Sequence, residues 1–261
     1  MKAKQLILNL LVAAPELVSS KQIIAMCALF DITANSTRVT LARLLSDQFV
    51  QSPRRSLYTL GPAAVELADD LANWRLLEEK VCPWDNQWIA AYIGNLGRAD
   101  RTALRKRTRI LQLAGFAEFE QGLMIRPNNL QGGAEQVRIR LYRLGLEKSA
   151  RIFTLGDLPA SDQAMAMNLW DRDSLDTQYQ FGRQQMLDWM DKHQTLDGNT
   201  AARESYMLGG ETLRHLAFDP LLPAEMVDVN ARKAYIDTMK TYDDLGREIW
   251  LRLYQFHQGM D

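Results

Sequence analysis

Two groups of side chains in this sequence have types and spacings that suit contact with an anionic polymer. The first lies in a helical pattern from about Ala34 to Gln48. On an ideal helix Ser36, Thr40, Arg43 and Asp47 fall within about 60° of one another. Val39, Leu41, Ala42, Leu44, Leu45 and Phe49 take most of the remaining circumference. A narrow polar stripe with one arginine suits a helix laid in the major groove of DNA. Hydroxyls there meet base edges or phosphates, and a guanidinium pairs bidentately with guanine. Asn35, near the helix start, can read adenine or touch a phosphate. Arg38 lies off the ideal stripe but in the first turn, where it can project past the helix end. Asn35, Ser36, Thr37, Arg38, Thr40 and Arg43 are the candidate DNA contacts of this helix. The same pattern also fits a plain amphipathic helix with a solvated face. What tips the balance is Arg54-Arg55, set between two β-type runs. Adjacent arginines at a hairpin tip repel each other unless an anion sits nearby, and they suit phosphate or minor-groove contacts.

The second group is Arg98, Arg101, Arg105, Lys106, Arg107 and Arg109. Arg98, Arg101 and Arg105 share one helix face at i, i+3 and i+7, and Arg109 continues it. Such a face holds phosphate groups, or it is a solvated face paired with Glu118, Glu120 or the acidic C-terminal part. Asp85 and Asp100 are the nearest carboxylates for a metal-dependent nuclease, but their spacing makes no recognised pair. Asp171, Asp173 and Asp176 open a helix, where carboxylates favour the positive end, and no calcium loop follows. Trp170, Tyr179, Trp189 and Tyr206 fall at helical spacing and read as core, as do Trp88 and His215, while Trp84 suits packing between domains. No dinucleotide, P-loop, zinc-protease or serine-hydrolase motif occurs.

These residues need elements to position them. A first helix spans about 2–13 and ends at Pro15. Ser19 and Ser20 cap a second, Lys21–Leu29, and Thr33 caps the third. Helix, tight turn and helix, followed by 49–51 and 57–60 around the basic tip, read as a winged helix-turn-helix. A charged helix follows over about 62–80. Beyond Pro83, strand 88–93, helix 98–114, strands 116–120 and 123–126, helix 133–144 and strand 150–155 follow the order βαββαβ. That is the ferredoxin-like split motif. Helices are expected over 161–169, 174–194, 199–216, 223–229 and 230–257, with Asp219-Pro220-Leu221-Leu222-Pro223 as a stiff turn. The expected class is α+β: an N-terminal winged helix-turn-helix with its linking helix (1–82), a central ferredoxin-like βαββαβ domain (83–160) and a C-terminal α-helical domain (161–261).

With 261 residues, the chain is long enough for two or three domains. Its net charge of −1 argues against a nucleic-acid binder only until it is split. Residues 1–60 hold seven Lys/Arg and three Asp/Glu; residues 83–160 hold twelve and seven; residues 161–261 hold ten and seventeen. A basic front and an acidic back suit different partners. Two distant cysteines, Cys27 and Cys82, build neither a disulfide framework nor a zinc finger, and with the methionine content they fit a reducing cytoplasm. No apolar run is long enough for a membrane span.

Three ordered motifs resemble one family. Arg38-Val39-Thr40-Leu41-Ala42-Arg43-Leu44 followed by Arg54-Arg55-Ser56-Leu57-Tyr58-Thr59-Leu60-Gly61 resembles the DNA-binding domain of PaaX-type repressors, the regulators of phenylacetic-acid degradation. Trp84-Asp85-Asn86-Gln87-Trp88 is similar to their central-domain entry, and Phe218-Asp219-Pro220-Leu221-Leu222-Pro223-Ala224-Glu225-Met226 to their C-terminal turn. The resemblance implies a homodimeric, cytoplasmic repressor on a pseudo-palindromic operator of a catabolic operon, with no cofactor and no membrane. An aryl-acyl-CoA effector, typically phenylacetyl-CoA, would release it. Arg98, Arg101, Arg105, Arg109 and Trp84 are the candidate effector contacts, and the C-terminal helices the candidate dimer interface or pocket. The alternatives are a metal-dependent nuclease and a winged-helix protein-interaction module.

Overall fold

The computed structural model describes residues 2–14, 17–64, 73–97 and 99–258. It mixes helices with two antiparallel sheets. The elements in chain order are α1 (Ala3–Ala13), β1 (Val18–Ser19), α2 (Ser20–Ala28), α3 (Ala34–Ser46), β2 (Val50–Arg54), β3 (Leu57–Leu60) and β4 (Trp88–Tyr92). Then come α4 (Arg101–Leu113), β5 (Ala117–Glu120), β6 (Leu123–Pro127), α5 (Gly133–Arg143) and β7 (Arg151–Leu155). Four helices follow: α6 (Ala160–Met167), α7 (Arg172–Lys192), α8 (Gly198–Ala217) and α9 (Val229–Gln258). Two compact units result, each assembled from separated stretches. The first holds Met1–Trp74, Met186–Glu211 and Met239–Asp261; the second holds Arg75–Gln185 and Thr212–Thr238.

In the first unit, local signals set the helix starts. Ser19 accepts from the Gln22 amide while the Gln22 side chain accepts from the Ser19 amide, a reciprocal cap worth about 1 kcal/mol. Thr33 caps α3 through the Ser36 amide. Leu6, Ile7 and Leu10 of α1, Ile23 and Met26 of α2, and Leu41 and Leu44 of α3 close one apolar core with Val18 and Val50. Tyr206 and Trp250, from α8 and α9, pack against Phe30 at its edge. The Tyr206 hydroxyl accepts from Asn9 at 3.0 Å. The first sheet runs β1–β3–β2. Gly61 is required where the chain leaves β3, because a Cβ there would sit 2.2 Å from the Gln48 carbonyl oxygen.

In the second unit the strand order is β5–β6–β4–β7, with every neighbouring pair antiparallel. Alternation along β4 aims Ile89 and Ala91 at a core with Ile110 and Leu111 of α4 and Val137 and Leu141 of α5. Trp88 points to the opposite face, stacked on Trp170 at 6.1 Å and donating to Gln163 at 2.8 Å.

Two expectations change. The 223–229 helix does not form: Ala224–Met226 make a turn, and α9 starts at Val229 behind an Asp228 cap. The Leu222 carbonyl accepts from Arg232, so it does not start a helical ladder. Of the 62–80 helix, residues 62–64 are helical, and 73–76 and 78–80 are separate 3-10 turns. The stretch between lies outside the described residues.

Candidate nucleic-acid interface

The exposed face of α3 is set by what the core takes from it. Thr37, Leu41 and Leu44 are buried. Asn35, Ser36, Arg38, Val39, Ala42, Arg43 and Ser46 are exposed, and Thr40 is half-buried. Asn35, Val39, Ala42 and Ser46 follow one another at i, i+4, i+7 and i+11, so they form a single row along the helix. Arg38 flanks this row on one side, and Ser36 and Arg43 on the other. The outward face is therefore rotated by roughly 90° from the Ser36–Thr40–Arg43–Asp47 stripe.

Thr37 is the correction within the candidate set. It is fully buried, and its hydroxyl donates to the Thr33 carbonyl at 3.1 Å. It is also hydrogen-bonded to Cys27, whose thiol burial pushes above its usual range. A buried hydroxyl so held supports packing and does not face a partner. The Thr40 hydroxyl donates to the Ser36 carbonyl at 2.8 Å, which leaves it only acceptor capacity. Val39 (44% exposed) and Ala42, which the sequence pattern places off the polar stripe, lie on this outward face.

The β2–β3 hairpin carries Arg54 and Arg55, both exposed. Arg54 pairs with Leu57 across it, and Ser56 closes it with φ 61°. The Ser20 amide, opening α2, donates to the Ser56 carbonyl at 3.0 Å, while β1 pairs with β3 through Val18–Tyr58 and Ser19–Leu57. The hairpin tip is thus tied to the first turn of α2. The side chains of Arg38, Arg43, Arg54 and Arg55 form no ion pair among the described residues. Unpaired guanidinium groups on one unit are available to an external anion.

The second unit has its own cationic face. Asp100 caps α4 by accepting from the Thr102 and Ala103 amides. Arg101, Arg105 and Arg109 are exposed and unpaired with any carboxylate among the described residues; neither Glu118 nor Glu120 reaches them. Arg98 lies outside the described residues. Arg107 points inward instead, donating to Glu147 at 2.6 Å and to the Gly97 carbonyl. Arg105, Arg109 and Phe218 line a shallow groove of about 570 Å³, with the Arg109 guanidinium 5.4 Å from the centre of the Phe218 ring. Trp84 is not brought to this face. Its indole N–H donates to the Gln87 carbonyl, and its ring edge meets Trp88 at 5.1 Å, on the side of the sheet away from α4. Asp85 is likewise held locally, by the Gln87 amide. Among the described residues, no group of three His, Cys, Asp or Glu side chains could hold a metal ion, and no helix is long and apolar enough to cross a membrane.

The turn from Asp219 to Pro223 behaves in the opposite way. All five residues are buried. Arg126 donates to the carbonyls of Pro220 and Ala114, Asn129 to that of Leu221, and Arg232 to that of Leu222. Asp219 accepts from the Tyr179 hydroxyl and the Leu221 amide, both at 2.7 Å. Burial pushes the Asp219 carboxyl above its ordinary range and lowers Arg126 to about 9. Gly115 admits the turn, since a Cβ there would meet the Pro220 carbonyl oxygen at 2.9 Å.

Comparison with known proteins bears on the helical part. Residues 170–252 match the model of the PaaX-like protein C-terminal domain, so over that stretch the chain is similar to PaaX-like proteins. The matched stretch begins at Trp170 and includes the Asp219–Pro223 turn. A search of curated proteins gives no significant match. Among solved structures, an uncharacterised protein of Mycobacterium tuberculosis, Rv0674, shares the fold with a TM-score of 0.61 and 21% identity, over 96% of this chain and 99% of that one.

Proposed function

We propose that the chain is a DNA-binding transcriptional regulator of the PaaX type. In this reading α2, α3 and the β2–β3 hairpin are a winged helix-turn-helix, with α3 in the major groove and Arg54 and Arg55 on the backbone or in the minor groove. The observation that carries it is the exposed α3 face, where Arg38 and Arg43 stand, unpaired among the described residues, on either side of a row of short side chains. The order β5–β6–β4–β7 around α4 and α5 supports a ferredoxin-like second unit.

Repression of a catabolic operon, a homodimer on a two-fold operator and a cytoplasmic location rest on the family resemblance. So does release by an acyl-CoA effector such as phenylacetyl-CoA. The Arg101–Arg105–Arg109 face and its groove at Phe218 support a site for the phosphates of such an effector. The effector would have to favour the DNA-incompetent state to act at all.

Selection from a random duplex library, followed by gel-shift titration of the winners, tests the DNA reading. Enrichment of one sequence bound at least about a thousandfold tighter than bulk DNA is expected. Failure to enrich any sequence, with no binding even at low salt, would favour a protein-interaction module. Cutting of the library only with Mg²⁺ or Mn²⁺ would favour the nuclease.

A further inference from the structure

The central row of α3 is polar at its ends and apolar in its middle. Asn35 and Ser46 are the ends, and Val39 and Ala42 lie between them. Exposing an isopropyl group to water at the centre of a helix face gains nothing for folding, since Leu41 and Leu44 already fill the core side. Arg38 and Arg43 stand on opposite flanks of this apolar centre, and both are unpaired among the described residues. An apolar strip between two cationic flanks is complementary to the floor of a major groove walled by phosphates. The only apolar group on that floor is the C5-methyl of thymine.

We infer that Val39 and Ala42 are specificity-determining residues that read thymine methyl groups in the bound half-site. This inference rests on the DNA-binding reading and deepens it. Ala42 has no side-chain reach beyond Cβ, so it lets the helix axis approach the bases closely enough for Val39 to touch a methyl. Asn35 sits one helical turn before Val39, about 6 Å along the axis, which is close to two base-pair steps. The half-site therefore presents adenine to Asn35 and thymine within about two steps of it. Arg38 and Arg43 are left for the two backbone strands or a flanking guanine.

The test uses the full chain and the duplex enriched from the random library. Each thymine of the half-site is replaced in turn by deoxyuridine, which removes only the methyl. Binding of the wild type falls three- to tenfold at one or two positions. Val39→Ala binds the parent duplex more weakly by a similar factor and loses little more on the uridine duplex, because the contact is already gone. Uridine that is neutral at every thymine, or a selected half-site without thymine opposite α3, overturns the inference while leaving DNA binding intact. If no duplex is selected but the chain self-associates and Val39→Glu disperses it, the strip is a protein contact. In that case the inference and the reading it rests on both fail, and the absence of selected DNA separates this result from the previous one.

Discussion

The α3 face and the Asp219–Pro223 turn are both short runs of mixed polar and apolar residues, yet they treat their hydrogen-bonding groups oppositely. On α3 the guanidinium groups of Arg38 and Arg43 and the side chains of Asn35, Ser36 and Ser46 are exposed. In the turn, three consecutive carbonyls and one carboxylate are each met by a buried partner. The two regions also reverse the usual rule of burial. Valine and alanine face water on α3, whereas arginine, asparagine and aspartate are buried around the turn. The lesson is that a motif fit to identify a chain need not be the one that acts. The turn holds a unit together, and the face left incomplete is the one suited to a partner.

That contrast breaks most visibly at Asp219. Replacing it by alanine leaves the Tyr179 hydroxyl and the Leu221 amide unmet, while Arg232 keeps Glu78 as its counter-charge at 2.7 Å. With two buried donors left unmet, a loss of about 2–5 kcal/mol in urea denaturation is expected, with little effect on DNA affinity of the remaining folded protein. A variant that melts like the wild type would mean the turn is not the lock described.

Next in size is the hairpin tip. Arg54→Ala together with Arg55→Ala should leave the melting temperature unchanged and weaken binding to every duplex. The slope of log affinity against log salt should fall by about 2. An unchanged slope would remove the tip from the phosphates. Thr37→Val sharpens the comparison from within α3. It should lower stability by about 1 kcal/mol, because the donation to the Thr33 carbonyl is lost, and leave base preference alone. An altered base preference would return Thr37 to the interface.

The smallest effect sits between the extremes, where the buried Arg107 meets the partly exposed Glu147. The hydrogen bond from Arg107 holds the Glu147 carboxyl below its usual range. Its stabilisation is present above the ordinary glutamate value of about 4.3 and is lost as pH falls through the lowered one. With Glu147 40% exposed, solvent screening keeps it under about 1 kcal/mol. Denaturation of Glu147→Gln across acid pH should show a correspondingly shallower loss than the wild type; parallel curves would discount the pair.

Much of the architecture was legible in the sequence because it rests on local signals. Ser19 and Thr33 mark helix starts by side chains that reach their own first turns, and the alternation in 88–92 marks a strand. The rotation of the α3 face was not legible. It depends on Thr37 finding the Thr33 carbonyl and Cys27, so that a polar residue enters the core and Val39 is displaced outward. Strand β1 was missed because two residues before a cap carry no periodicity; only their pairing with β3 defines them. The expected placement of Trp84 beside the arginines failed for a tertiary reason. The alternation that sends Ile89 and Ala91 toward α4 sends Trp88, and Trp84 with it, to the other side of the sheet. Nor does any local signal show that α7, α8 and α9 each contribute to both units, since the apolar spacing continues unbroken along them.

The central claim, that α3 presents its outward face to base pairs, is tested most directly by Arg43→Ala on the duplex selected by the wild type. Arg43 is exposed, outside the core and unpaired among the described residues, so its loss should leave stability within about 0.5 kcal/mol of the wild type. Affinity for the selected duplex should fall by about 1–3 kcal/mol, with relaxed preference at one base position and a smaller change on random DNA. Equal affinity and unchanged preference at every position, in a variant that folds normally, would contradict the account.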